Sequence, residues 1–153
     1  MKQPAGGAPR GTLLAFDYGS RRIGVAVGEL SPPTASAFAT IGARNGQPQW
    51  EQLDQLIEEW RPVALIVGIP HHADGSESPV GAAAREFGAA LEQHYSLPIH
   101  FVDESLTSRQ ADAELREKRK RGMLRRRVRR DDSDRIAARL ILESWLARNT
   151  EQS

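Results

Sequence analysis

The sequence predicts a three-layer α/β domain in which helices cover both faces of a mixed sheet. Apolar and β-branched segments near the start of the chain suit antiparallel strands joined by short turns. Later segments alternate short buried strands with helices, which indicates parallel strands connected by right-handed crossovers. The 153 residues suit one domain, because two domains of ordinary size would each lack sufficient core.

The first three predicted strands form the antiparallel part of the sheet. Residues 12–18 and 22–28 are dominated by apolar and β-branched residues, and a polar turn containing glycine separates them. Residues 34–41 form a weaker third strand. Two prolines precede it, which a central strand would not tolerate.

The rest of the chain is expected to alternate helices and buried strands. A helix from Trp50 to Trp60 has apolar residues at helical spacing, and Pro62 ends it. Residues 64–67 and 99–102 are continuously apolar, as expected for strands covered on both faces. Further helices are predicted over residues 80–91, 107–115 and 133–145, the last with Ser133 as N-cap and Asp134 in its first turn. The order is βββαβαβαα, with five strands.

Composition excludes several classes of protein. Hydrophobic residues make up 39% and charged residues 27%, and no apolar run approaches the length of about 18 residues that suggests a membrane helix. Residues 1–11 are expected to form a flexible tail rather than a signal peptide, residues 12–148 a single domain, and residues 149–153 a second tail. The lack of cysteine excludes disulfides and thiolate metal sites and, with no export signal, favours the cytoplasm.

Positive charge is concentrated in residues 116–130, which hold ten Arg or Lys residues and one acid. This basic segment carries +9 and the whole chain +1, so the other residues carry −8. Such segregation favours a polyanionic partner, because clustered cations replace the counterions condensed along phosphates. A solvated, partly disordered loop is the alternative. Because Gly122 interrupts a continuous helix, we expect the segment to be mobile without nucleic acid.

Acidic residues lie at the ends of two predicted strands and in the first turn of the last predicted helix. They are Asp17, the pair Asp103 and Glu104, and Asp134. Each alone is explained as a turn residue, a solvated acid or a helix-dipole partner. In an open α/β sheet, however, strand ends and a helix can converge on one edge. Converging carboxylates repel one another unless divalent cations bind them, and oxygen ligands without cysteine select Mg²⁺ or Mn²⁺. Such a site beside a basic segment suits phosphodiester hydrolysis.

Four segments spread over most of the chain carry a family resemblance. They are LLAFDYGSRRIGVAVGE (13–29), VGIPHHADGSESP (67–79), FVDESLTSRQADAEL (101–115) and DSDRIAARLILESWL (132–146). Together they resemble the YqgF/RuvX family, whose members are described as Holliday junction resolvases and as nucleases that mature the 5′ end of pre-16S ribosomal RNA. The resemblance implies an RNase H-like fold. It also implies that Asp17, Glu104 and Asp134 are catalytic and bind the metal, with Asp103 in support.

The chain departs from the family pattern after the second acid. Ser105 stands where the family commonly has Arg in a D-E-R triplet, and Arg109 is a candidate substitute. Adjacent loop histidines are usually exposed to solvent, so His71 and His72 are not counted as ligands. The residues expected to contact nucleic acid are Arg21, Arg22, Arg109, Arg119, Lys120, Arg121, Arg125, Arg126, Arg127, Arg129 and Arg130.

The resemblance predicts a metal-dependent nuclease that acts in the cytoplasm on pre-rRNA in a ribosomal precursor. The oligomeric state is left open as monomer or homodimer, and no membrane partner is expected. A Holliday junction-resolving DNA nuclease is one alternative, and it requires two coordinated sites and therefore a dimer. A non-catalytic rRNA- or ribosome-binding module, which acts through the basic segment alone, is the other.

Overall fold

The computed structural model describes residues 11–19, 21–70, 78–103 and 130–150. The predicted helix over residues 107–115 and the basic segment as far as residue 129 lie outside the described residues. The elements in chain order are β1 (Thr12–Asp17), β2 (Arg22–Leu30), β3 (Pro33–Arg44), β4 (Gln47–Pro48), α1 (Trp50–Trp60), β5 (Ala64–Ile69), α2 (Pro79–Tyr95), β6 (Ile99–Asp103) and α3 (Arg130–Thr150).

The described strands form one mixed sheet in the order β4-β3-β2-β1-β5-β6. Strands β1 to β4 pair antiparallel with their neighbours in sequence, whereas β1, β5 and β6 run parallel. The carboxyl ends of parallel strands meet at one edge of a sheet. This edge, called the carboxyl edge below, therefore collects Asp17, Ile69 and Asp103, the last residues of β1, β5 and β6.

Helices pack on both faces of the sheet and produce the three predicted layers. Side chains alternate along β1, so Leu14 and Phe16 join a core cluster with α1 and α2, and Leu13 and Ala15 join a second cluster with α3. Every residue of β5 is buried, as expected for a strand covered on both faces. Within the described chain, no helix combines the length and apolar character needed to cross a membrane.

The sheet among the described residues has six strands, so the prediction of five is wrong. The additional strand, β4, has two residues and pairs with the end of β3 through Ala43 and Arg44. Asn45 and Gly46 connect the two strands with φ values of 53° and 80°. Asn-Gly is the residue pair that a two-residue hairpin turn of this type favours. A strand of two residues has no alternating pattern of its own. The Asn-Gly dipeptide was the one sequence feature that could have predicted this hairpin.

Two of the three described helices differ from the predicted boundaries. Helix α1 begins at Trp50 and ends at Trp60, as predicted. Helix α2 is longer than expected and starts at Pro79, because the Ser78 hydroxyl accepts a hydrogen bond from the Gly81 N–H. Val80, the first residue of the predicted helix, is 48% exposed and contributes little to the core.

The last helix, α3, starts earlier than the sequence suggested. The helix already includes Arg130, so Ser133 lies inside it and is not its N-cap, and Asp134 is its fifth residue. The apolar periodicity marked where the helix packs on the sheet rather than where it starts. Arg130, assigned to the mobile basic segment, belongs to the helix. Since the helix-dipole effect fades beyond the first turn, it no longer accounts for Asp134.

Candidate active site

Asp17 ends β1 at the carboxyl edge, on the face covered by α3. Leu13 and Ala15 precede it at a spacing of two and pack in the α3 cluster, so alternation puts Asp17 on the same face. The four residues before Asp17 are buried, whereas Asp17 itself is partly exposed. Its partner on β2 is Gly24. The carboxylate therefore lies where the apolar core gives way to solvent.

Gly24 sets the distance between β2 and the start of α3. A Cβ at this position would overlap the Asp134 carbonyl oxygen and lie 3.0 Å from the Asp134 Cβ. Glycine is thus required, because another side chain would push the helix backbone off the strand. Gly24 pairs with Asp17, so this contact brings Asp134 next to the strand pair that ends in Asp17.

Arg22 binds the carboxylate of Asp134. The Nε atom of Arg22 donates to Oδ2 of Asp134 across 3.0 Å, and the two side chains are 34% and 24% exposed. Such charge-assisted hydrogen bonds are short and directional, so this one fixes the Asp134 carboxylate. Arg22, expected from the sequence to contact nucleic acid, is therefore engaged with a predicted metal ligand. Arg21 beside it is exposed.

Asp103 lies at the carboxyl edge but on the opposite face. It pairs with Ile69, which belongs to the core cluster under α1 and α2. Paired residues share a face, so Asp103 is separated by the sheet from Asp17 and Asp134. Glu104 lies outside the described residues, as do His71 and His72. The same is true of Arg109, Arg119, Lys120, Arg121, Arg125, Arg126, Arg127 and Arg129.

The predicted set is thus reduced to two carboxylates within the described chain, Asp17 and Asp134, with Arg22 beside them. No group of three acidic or histidine side chains able to hold a metal occurs among the described residues. Carboxylate oxygens are hard ligands that suit Mg²⁺ or Mn²⁺, and Mg²⁺ commonly binds one or two carboxylates together with water and substrate phosphates. The donor set therefore fits a hard divalent cation.

A cleft on the other face of the carboxyl edge was missed by the sequence reasoning. It has a volume of about 280 Å³ and is called the Tyr18 cleft below. Its walls come from three separate parts of the chain, which no local pattern connects, although the Asn45-Gly46 turn signal lies in one of them. The lining residues are Tyr18, Asn45, Gly46, Gln47, Pro48, Trp50, Ala83, Glu86, Phe87 and Ala90.

A family model described as "RuvX: Holliday junction resolvase" matches residues 11–148. The chain belongs to the RuvX family. A Pseudomonas putida relative of this RuvX-family protein is 44% identical over 138 residues, which cover 90% of this chain and 96% of the relative. A Legionella pneumophila relative has the same identity and coverage. Both are named "Putative pre-16S rRNA nuclease". The predicted family is confirmed, and with it the predicted class of enzyme, a nuclease.

Two solved structures resemble this RuvX-family protein in fold. A T. thermophilus RuvC in complex with a Holliday junction substrate aligns with a TM-score of 0.50 at 15% identity, covering 90% of this chain and 95% of that one. A second Thermus thermophilus RuvC structure gives a TM-score of 0.51 at 15% identity, covering 91% and 96%. The predicted RNase H-like fold is confirmed.

Proposed function

We propose that this RuvX-family protein is a divalent-metal-dependent nuclease that processes the 5′ end of pre-16S rRNA. The close approach of α3 to β2 at Gly24 carries the proposal, because it brings Asp134 next to the end of β1 and therefore to Asp17. The names of relatives at 44% identity support the substrate. The separation of charge between the +9 basic segment and the other residues, which carry −8, supports a nucleic-acid partner.

In this proposal, Asp17, Asp134 and Glu104 hold the metal. Val102 of β6 packs in the α3 cluster on the same face as Asp17, and Glu104 follows two residues later in sequence. Bound Mg²⁺ or Mn²⁺ would lower the pKa of the attacking water and offset the charge of the scissile phosphate. Arg22 keeps the Asp134 carboxylate oriented, and Asp103, on the other face, is not among the metal ligands of this proposal.

The basic segment, residues 116–130, binds the RNA backbone in this proposal. It directly precedes α3 in sequence, and α3 is the helix that carries Asp134. Phosphate contacts position a strand without reading its sequence. The single domain over residues 12–148 acts on ribosomal precursors in the cytoplasm. The extent of the family match, residues 11–148, supports this domain.

Cleavage of a pre-16S 5′ leader by the purified full-length protein tests the proposal. We expect cleavage only with Mg²⁺ or Mn²⁺ and a loss of about 100-fold or more in rate for Asp17→Asn and Asp134→Asn. Glu58→Gln is the control and should retain the wild-type rate. Glu58 is an exposed acid on α1, which packs on the face of the sheet opposite Asp17. An Asp17→Asn variant that cleaves as fast as wild type would refute the catalytic assignment.

A Holliday junction resolvase is the second candidate, and the description of the family model favours it. Resolution needs two coordinated active sites and therefore a stable homodimer. Paired symmetric nicks in a four-way DNA junction, together with a dimeric mass in light scattering, would favour this activity over RNA processing. Salt-dependent RNA binding without any cleavage, unchanged by Asp17→Asn, would instead favour the non-catalytic binding module.

A further inference from the structure

We propose that the Tyr18 cleft receives one unpaired nucleobase of the RNA strand whose phosphate lies at Asp17, an inference that rests on the proposed nuclease function. Tyr18 follows Asp17 directly, yet its ring packs on Phe87 of α2, with 5.0 Å between ring centroids. The end of β1 therefore presents a carboxylate on one face of the sheet and an aromatic cleft on the other. A strand that passes around the carboxyl edge reaches both.

An aromatic ring gives the cleft the surface that an unpaired base needs. Tyr18, Trp50 and Phe87 all line it, but Tyr18 and Phe87 are only 9% and 4% exposed, so the partly exposed Trp50 ring is the one on which a base would stack. The Trp50 ring is held in place by stacking on His94, with 4.3 Å between centroids and an angle of 18° between the planes. Single-stranded bases stack on such side chains whatever their identity, because every base has a π-face. A volume of about 280 Å³ is near the lower end for ligand clefts and suits one base rather than a base pair.

The cleft is held open by contacts that do not depend on a ligand. The Tyr18 hydroxyl donates to the Gly46 carbonyl oxygen across 2.7 Å and ties the β3–β4 turn to the end of β1. The opposite wall is α2, whose start is fixed by the Ser78 cap. A site that is already formed avoids most of the ordering cost of binding.

Glu86 gives the cleft a preference among bases. It lies on the exposed side of α2 and lines the cleft. A carboxylate accepts hydrogen bonds from the exocyclic amino groups of adenine, cytosine and guanine. Uracil has no amino group, and its N3–H lies between two carbonyl oxygens that repel a carboxylate. We therefore expect the cleft to favour amino-bearing bases over uracil.

Binding of single-stranded RNA to the full-length protein tests the proposal. Fluorescence anisotropy would compare labelled oligoadenylate with oligouridylate, without divalent metal and in the Asp17→Asn background so that no strand is cut. Ala90→Phe fills the cleft and should weaken oligoadenylate binding about tenfold, the scale of losing one stacked base. Ala89→Phe, at the exposed neighbouring position outside the cleft, is the matched control and should bind like the parent.

A second pair of variants tests the base preference without changing the volume of the cleft. Glu86→Gln should reduce the preference for oligoadenylate over oligouridylate severalfold, and Glu92→Gln, an exposed acid on the same helix, should leave it unchanged. Equal oligoadenylate binding by Ala90→Phe and Ala89→Phe, both folded by thermal melting, would overturn the proposal. So would binding of free adenosine monophosphate that Ala90→Phe abolishes without changing oligonucleotide binding.

Cleavage of the pre-16S leader, measured with Asp17 intact, separates this proposal from the proposed function. If the wild-type protein cleaves and Ala90→Phe does not weaken oligoadenylate binding, the base site is refuted and the nuclease stands. If the wild-type protein binds RNA through the cleft without cleaving it, the nuclease is refuted. The cleft is then an RNA-binding site of a non-catalytic protein, and the inference in its stated form fails with the function.

Discussion

Replacing Gly24 by alanine should separate catalytic geometry from stability. The added Cβ would overlap the Asp134 carbonyl oxygen, while ordinary contact requires at least 3.4 Å. The start of α3 must therefore move by about 1 Å away from β2, and a displacement of this size can cost about 100-fold in rate. Because the obstructing atom belongs to the backbone, side-chain rotation cannot relieve the overlap.

The expected loss of stability for Gly24→Ala is about 1–3 kcal/mol, the usual range for overpacking. Gly28→Ala is a matched control, because Gly28 lies four residues along the same strand and is also covered closely. A Cβ there would overlap the Thr34 carbonyl oxygen and lie 2.7 Å from Leu142 Cδ2. This variant crowds the core farther from Asp134 and should lose stability while retaining most of the cleavage rate.

Urea unfolding and cleavage of the pre-16S leader, measured on both glycine variants, give the comparison. We expect comparable losses of unfolding free energy but a rate loss confined to Gly24→Ala at temperatures where both variants are folded. If Gly24→Ala cleaves at the wild-type rate, Asp134 need not lie against Gly24 for catalysis. If the two variants lose activity equally, the loss reflects stability, and the reasoning about the site is wrong.

Three further substitutions test individual contacts. Arg22→Ala should lower the cleavage rate about tenfold, because Asp134 loses the bond that orients it, and Arg22→Lys should restore part of that rate. Burial, the hydrogen bond to Asp54 and the charge of Asp54 raise the Tyr95 pKa above its ordinary value of 10.0. Since the folded-state pKa is raised, this contribution to stability is complete below pH 10 and is lost as the pH rises further, so Tyr95→Phe should flatten the alkaline fall in urea midpoint. Ser78→Ala removes the α2 cap and should cost about 1 kcal/mol in urea unfolding, and an unchanged midpoint would contradict the capping role.

Much of the fold could be predicted because burial imposes a period on the sequence. The continuous apolar run of β5 and the helical spacing from Trp50 to Trp60 each report which surfaces face the core. The helix has the predicted bounds, and the predicted strand over residues 64–67 is present but continues to Ile69. Helix α3 shows the limit of this signal. Its polar residues from Arg130 onward carry no packing pattern, so its start could not be read from periodicity.

The site was less accessible to prediction than the fold. The local pattern of apolar residues shows that Asp17 ends a strand. The position of Asp134 beside that strand depends on Gly24, and Gly24 and Asp134 are 110 positions apart in sequence. Nothing around Gly24 distinguishes a glycine that admits a helix from one that makes a turn. The bond between Arg22 and Asp134 follows from the same approach, so it was equally hidden.

The alternation of β1 gives the carboxyl edge two chemically independent faces. Asp17 follows Leu13 and Ala15 toward α3, whereas Tyr18 follows Leu14 and Phe16 toward α2. Because the sheet separates them, a substitution in the Tyr18 cleft can alter the binding of a base without touching the carboxylates, and a substitution at Asp134 can stop cleavage without emptying the cleft. For each measured quantity, RNA binding or the cleavage rate, the free-energy effects of a cleft variant and a carboxylate variant should therefore add. Distant sites that share no contact are independent. Non-additive effects of Ala90→Phe and Asp134→Asn on binding would show that the strand does not engage the two faces independently.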